Sequence, residues 1–163
     1  MDDWRGLRIA LIIVAWATVA GGATLASLWS VRGGLRARGP EEDETPAAGA
    51  VAWTDARVTS FTTTQVGVHG LLGVLTASLL TYAVLQDDRR TGYLASLVAL
   101  ALTAVPGVLM FVKWRRRGRP ARAAAGRTAT ERVEDRLPGP VVYLHGLAAL
   151  TTAAIVAILL VVD

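Results

Sequence analysis

The sequence contains no cysteine in 163 residues, and it has only one lysine and two histidines. Without cysteine the chain forms no disulfide, thiolate metal site, c-type haem attachment or cysteine nucleophile. Walker, metalloprotease and nucleophile–base motifs are missing as well. We therefore expect no catalytic activity of its own, and any chemistry must rest on other side chains.

Acidic residues and lysine are missing from every long apolar stretch of the sequence. Four stretches of about 20 residues or more are long enough to cross roughly 30 Å of hydrocarbon as α-helices. A helix satisfies its own backbone hydrogen bonds in lipid. The sequence thus predicts an all-α integral membrane four-helix bundle that forms one domain, residues 1–163. The predicted spans are Leu7–Trp29, Val66–Leu85, Tyr93–Val112 and Val141–Val162.

The first stretch admits a second interpretation, a cleaved signal peptide. Ile9–Ala20 is apolar and is followed by small residues, as signal-peptide cores are. However, Asp2 and Asp3 offset Arg5 and Arg8, so the usual positive charge of the n-region is missing. We therefore favour a membrane span.

Thirteen of the seventeen Lys and Arg residues lie in two connections, about residues 30–65 and 113–140. Basic connections are retained on the cytoplasmic side. We therefore expect a multi-pass protein of the cell membrane with both termini outside, and no nucleic-acid partner. The stretch 115–127 also admits contact with anionic lipid, although topology alone accounts for its charge. The bias toward Arg, Ala and Gly is typical of a GC-rich, bacterial genome.

An internal similarity relates the second and fourth spans. The tripeptide His-Gly-Leu at 69–71 recurs at 145–147, and Thr76-Ala77 recurs as Thr152-Ala153 at the same distance. A weaker match pairs four positions of the first and third spans: Gly22, Trp29, Arg32 and Gly33 with Gly107, Trp114, Arg117 and Gly118. A genuine repeat would give two helical hairpins related by an axis along the membrane normal. Chance similarity in a narrow composition is the alternative.

His69 and His145, the only histidines, both lie inside predicted spans. An ionisable side chain in a span costs free energy and therefore indicates a functional site. The two lie about four and five residues into spans that run in the same direction, so a rise of about 1.5 Å per residue places them at matching depth. A twofold axis would make them face each other. Two such imidazoles are the axial ligands that a b-type haem requires, and helical bundles hold such sites between facing helices.

The predicted haem site also includes small, hydroxyl and basic residues near the two histidines. Small residues leave room for the flat ring, threonines pack along it, and arginines pair with the propionates. Met110 lies at similar depth and is a less favoured axial ligand, because it has no counterpart in the repeat. The predicted haem-binding residues besides the iron ligands His69 and His145 are Gly70, Gly73, Gly146, Thr76, Thr152, Arg57 and Arg136.

With its histidine ligands on the second and fourth spans, the chain resembles one four-helix half of the haem A synthase family. It resembles cytochrome b561-type proteins more loosely. The resemblance implies that His69 and His145 bind haem b. The chain departs from the synthase pattern, which has two halves and an intramembrane carboxylate. Those departures imply haem binding or electron transfer without synthase activity.

These observations predict a small b-type cytochrome, an electron-transfer or accessory subunit of a membrane redox or respiratory complex. Its partners would be the lipid bilayer and other subunits of that complex. The alternative is a haem-free structural or assembly subunit whose histidines form hydrogen bonds between helices. A third hypothesis, a small transporter or channel with the histidines as a proton relay, is weaker because no span contains an acid.

Overall fold

A computed structural model of the chain describes residues 4–35, 59–86, 89–123 and 132–162. These residues form four α-helices and one 3₁₀ turn, with no strand in the described ranges. The all-α four-helix prediction is confirmed. The helices are α1 Arg5–Val31, α2 Thr63–Leu85, α3 Arg89–Ala123 and α4 Gly139–Val162, and the 3₁₀ turn is Val133–Arg136.

All four helices are long and apolar enough to cross a membrane, so the chain is a multi-pass membrane protein. Their outer surfaces carry large apolar side chains, including Leu71, Leu150 and Val161, which are more than two-thirds exposed. Lipid covers such side chains in a membrane, whereas in water they would form an unusually large exposed patch. The predicted spans lie inside the observed helices.

The third helix is longer than the sequence analysis predicted. Residues 113–123, assigned there to a connection, continue α3 as far as Ala123. Arginine is a strong helix former, and five of these eleven residues are arginine, so α3 continues even though Gly118 and Pro120 lie in the same segment. The basic residues that mark a topological boundary are therefore compatible with an unbroken helix.

The ends of α1 and α2 are set by local sequence. The Thr62 hydroxyl accepts a hydrogen bond from the Gln65 backbone N–H, and the Gln65 side-chain oxygen accepts one from the Thr62 backbone N–H, which forms a capping box at the start of α2. Gly33, with φ 99°, terminates α1 in the left-handed conformation that favours glycine. A Cβ at Gly34 would stand 2.2 Å from the Trp29 indole, so this close turn also requires glycine.

The helices form a ring in chain order. The most extensive contacts join α2 to α3 and α1 to α4, and smaller ones join α1 to α2 and α3 to α4. Helices α2 and α4 therefore lie on a diagonal across the bundle. We call the end where α2 and α4 begin the loop end, and the end with the α2–α3 turn the hairpin end.

Two apolar clusters close the bundle at its two ends. The hairpin-end cluster contains Leu11, Ala15, Ala77, Leu80, Ala83, Tyr93, Ile155, Val156 and Leu159. The loop-end cluster contains Trp29, Phe61 and Val133, with Val66, Met110, Trp114 and Leu137 packed against it. His69 and His145 lie between these clusters in the order of the residues along α2 and α4.

Candidate functional site

The two histidine rings meet at the centre of the bundle. The ring centroids of His69 on α2 and His145 on α4 are 6.0 Å apart, and the ring planes are 85° from parallel. Both side chains are half-buried. Because α2 and α4 are diagonal, this contact crosses the bundle axis, as the twofold arrangement predicted from the sequence requires.

Each histidine is held by a backbone carbonyl of a neighbouring helix. His69 Nδ1 donates to the Thr103 carbonyl oxygen on α3, and His145 Nδ1 donates to the Thr18 carbonyl oxygen on α1, both at 3.0 Å. A carbonyl oxygen only accepts, so in each neutral ring the proton is on Nδ1 and the lone pair is on Nε2. Metal-binding histidines are oriented by this kind of bond through the other ring nitrogen.

Glycines of the neighbouring helices allow this close approach. A Cβ at Gly107 would stand 2.7 Å from His69 Cε1, and a Cβ at Gly22 would stand 3.1 Å from His145 Cε1. Gly21 is less tightly placed, at 3.5 Å from His145 Nδ1. The histidine rings therefore lie directly on α3 and α1, where any larger residue would displace them.

These contacts follow the internal repeat. Thr18 and Gly22 precede Thr103 and Gly107 by 85 residues, while His69 precedes His145 by 76. Equivalent histidines thus bond equivalent carbonyls and pack on equivalent glycines. This agreement gives a structural basis to the two-hairpin interpretation that the short sequence match alone did not provide.

The two threonines of the predicted site form a buried layer between the histidines and the hairpin-end cluster. Thr76 and Thr152 are each 3 % exposed, and their hydroxyls donate to the Leu72 and Ala148 carbonyls of their own helices. The Thr76 hydroxyl is also 3.1 Å from that of Thr103 on α3. The hydroxyls of these threonines therefore have hydrogen-bond partners within the protein, and they place polar groups in the middle of the bundle.

The predicted glycines do not contact the rings in the way that Gly22 and Gly107 do. Gly70 and Gly146 are exposed, and a Cβ on either would meet no atom within 4 Å. Gly73, one turn from His69, also borders open space. From the sequence, Gly22 and Gly107 are only matching positions of the repeat, and their contact with the histidines becomes visible only once the helices are packed.

The remaining predicted residues lie toward the loop end or outside the described ranges. Arg57 is outside them. Arg136 is exposed in the 3₁₀ turn, where its carbonyl oxygen accepts a hydrogen bond from the Arg32 guanidinium. Met110 packs against the loop-end cluster. The basic residues predicted to pair with propionates are therefore not part of the described histidine contacts.

A buried acid at the loop end was missed by the sequence analysis. Glu134 is 1 % exposed and accepts from the Ser60 backbone N–H at 2.6 Å and from the Thr59 hydroxyl at 3.0 Å. The Trp29 indole in turn donates to the Thr59 hydroxyl. Lys113 donates to the Ser60 carbonyl oxygen at 3.4 Å. This network joins α1, α3 and both connections, and its members are too far apart in sequence to form a motif.

The described residues offer few ligands for a metal ion that is held by protein side chains alone. Among the described residues, no group of three or more His, Cys, Asp or Glu side chains is placed to hold a metal. Two imidazoles suit the axial positions of a macrocycle that supplies its own nitrogens. With metal–imidazole bonds of about 2 Å, two ring centres on either side of one iron would be roughly 6 Å apart. The observed 6.0 Å fits that requirement.

No family model, curated protein or solved structure matches the chain. The resemblance to one half of the haem A synthase family, and the looser one to cytochrome b561-type proteins, therefore stays a prediction. A function for this chain must be argued from the geometry of the site.

Proposed function

We propose that this chain is a small b-type cytochrome, an electron-transfer or accessory subunit of a membrane redox or respiratory complex. The observation that carries the proposal is the facing pair of His69 and His145, with ring centroids 6.0 Å apart and both Nδ1 atoms bonded to backbone carbonyls. Haem b would lie between α2 and α4 with the two Nε2 atoms as axial ligands. When bound, it would supply one-electron redox chemistry.

The chain's own groups would orient the ligands and control their surroundings. The Thr103 and Thr18 carbonyls would fix the imidazole tautomer and make Nε2 a more basic metal ligand. The histidines lie between apolar clusters at the two ends of the bundle, which would limit the access of water to them. Exclusion of water lowers the local dielectric, which is one of the means by which proteins set the potential of a metal centre.

The setting of the proposed cytochrome follows from the charge distribution. We place the loop end, with its Lys and Arg excess, on the cytoplasmic side of a bacterial cell membrane, and both termini outside. Other subunits of a redox complex would pack against the apolar outer surface of the bundle, and they would exchange electrons with the haem.

A second candidate is a haem-free structural or assembly subunit of a membrane complex. The two Nδ1–carbonyl hydrogen bonds join α2 to α3 and α4 to α1, which is what purely structural histidines do. Such bonds contribute about 0.6 kcal/mol each on average in membrane proteins. In this case the facing of the rings follows from helix packing alone.

The visible absorption spectrum of detergent-purified protein distinguishes the two candidates. Oxidised protein reduced with dithionite should develop a sharp α-band and a shifted Soret band, the signature of a low-spin b-type haem. A protein that stays colourless after haem is supplied during expression, but that copurifies with a stable partner, supports the structural subunit and contradicts the cytochrome.

A further inference from the structure

Helix α3 extends beyond the point where its counterpart in the repeat ends. Helix α1 ends at Val31, and Gly33 follows it with φ 99°. The equivalent of Gly33 is Gly118, which lies inside α3. The helix continues to Ala123, so α3 gains about two turns that the repeat does not require.

This added length carries a concentration of positive charge. Residues 113–123, which we call the basic extension, contain no acid. Both described side chains at its exposed start, Arg115 and Arg116, face away from the protein interior. The basic residues of the extension are Lys113, Arg115, Arg116, Arg117, Arg119 and Arg122.

Acids that the structure describes at the loop end do not neutralise this charge. The Glu134 carboxylate accepts from Ser60 and Thr59 inside the buried network. Asp135 accepts from the backbone N–H of Arg132. These two described carboxylates thus serve the fold of the connections, and neither of them is bonded to a cation of the extension in the described contacts.

Aromatic side chains place the start of the extension at the membrane interface. The rings of Phe111, Trp114 and Tyr143 are in mutual contact, with centroids 5.7–5.9 Å apart. Amphipathic rings of Trp and Tyr favour the level of the lipid headgroups. The apolar stretch of α3 ends at Val112, and Lys113 follows it. Arg115 and Arg116, which follow Trp114 and are exposed, therefore lie at the depth of the phosphate groups.

We propose that the basic extension binds anionic phospholipid headgroups of the leaflet at the loop end. A topological signal requires positive charge beside a span but no helix beyond it. The observed helix carries its basic residues along one continuous segment next to the interface, with Arg115 and Arg116 exposed at that level, where each Lys or Arg attracts anionic lipid. The inference does not depend on haem.

Lipid selectivity of the full-length protein tests this proposal. Protein in mixed detergent micelles is offered equal amounts of phosphatidylglycerol and phosphatidylcholine, and the retained lipid is quantified by native mass spectrometry. The wild type should prefer phosphatidylglycerol, and R115Q/R116Q should lower that preference roughly tenfold. The matched control R5Q/R90Q removes two exposed cations from the hairpin end and should lower the preference much less than R115Q/R116Q does. Added salt should weaken the wild-type preference, because exposed charges are screened.

Three outcomes would overturn the inference. The first is a wild type that retains both lipids equally. The second is a preference that R115Q/R116Q and R5Q/R90Q lower equally. The third is a preference that appears only after the acidic run 41–44, which belongs to the other loop-end connection, is neutralised in E41Q/E42Q/D43N/E44Q. That result would mean that this acidic run, and not lipid, occupies the basic extension.

Discussion

Gly107 lies directly beneath the ring of His69, so close that a methyl group on its Cα would stand 2.7 Å from Cε1. The same relationship joins Gly22 to His145 at 3.1 Å. The position of each histidine is therefore set by a residue of another helix that has no side chain. Substitution of these two glycines therefore tests whether the positions of the histidine rings affect stability and haem content.

Replacing Gly107 by alanine should displace His69. Overpacking of a tight contact costs about 1–3 kcal/mol, and we expect G107A to lower both the thermal stability of the purified protein and its haem content. G22A should have a smaller effect, since its contact is longer. The matched control is G70A, because a Cβ there meets no atom within 4 Å. Equal behaviour of G107A and G70A would show that the ring contact is unimportant.

Removing either imidazole should remove the haem. For H69A and H145A we expect haem content, measured as the ratio of Soret to protein absorbance, to fall at least tenfold, on the order of the loss seen when a metal site is disrupted. T151A, an exposed threonine of α4, is the control and should bind haem normally. Full haem content in H69A or H145A rules out that residue as an axial ligand.

The hydroxyl contact between Thr76 and Thr103 should contribute modestly to stability. A double-mutant cycle of T76V, T103V and the double variant should give a coupling free energy of about 0.6 kcal/mol, the average for polar contacts between membrane helices. The measurement is reversible unfolding in mixed micelles. Thr152 provides the comparison, since its described hydrogen bond is to Ala148 of its own helix. Zero coupling would mean that the 3.1 Å contact has no energetic value.

Neutralising the buried acid at the loop end should loosen both connections. Both oxygens of the Glu134 carboxylate accept a hydrogen bond, one from the Ser60 backbone N–H and one from the Thr59 hydroxyl. A glutamine has an NH₂ group in place of one of these oxygens, so it cannot accept both bonds. A buried polar group left unsatisfied costs about 1–3 kcal/mol, so E134Q should lower the thermal midpoint of the purified protein. R115Q, an exposed charge change at the same end, is the control. An unchanged midpoint in E134Q would contradict a stabilising role for this network.

The helices and the histidine pair could be predicted because their signals are local. Stretches without acids or lysine that are long enough to cross a membrane favour helices, and His69 and His145 recur in identical tripeptides. The end of α3 was not predicted, because basic residues mark a membrane boundary whether or not the helix continues. The arginines at 113–123 favour continuation, but Gly118 and Pro120 oppose it, so helix propensity alone did not indicate where α3 ends.

The contacts around the histidines could not be predicted, because they join distant parts of the chain. Gly70 and Gly146 follow the histidines in sequence, yet a helix turns about 100° per residue and directs them elsewhere. Gly22 and Gly107 contact the rings only because α1 packs on α4 and α3 packs on α2. The Glu134 network likewise depends on two connections meeting, which no sequence spacing indicates.

The repeat and the packing divide the bundle in different ways. The repeated units are α1–α2 and α3–α4, but the tightly packed pairs are α2–α3 and α4–α1. Each histidine is bonded within its own packed pair, so the two pairs meet along a seam that passes between the rings. A flat molecule in this seam would contact both packed pairs while leaving both histidine–carbonyl bonds intact. Its binding would thus depend on how closely the two pairs approach each other, and not on the fold of either pair.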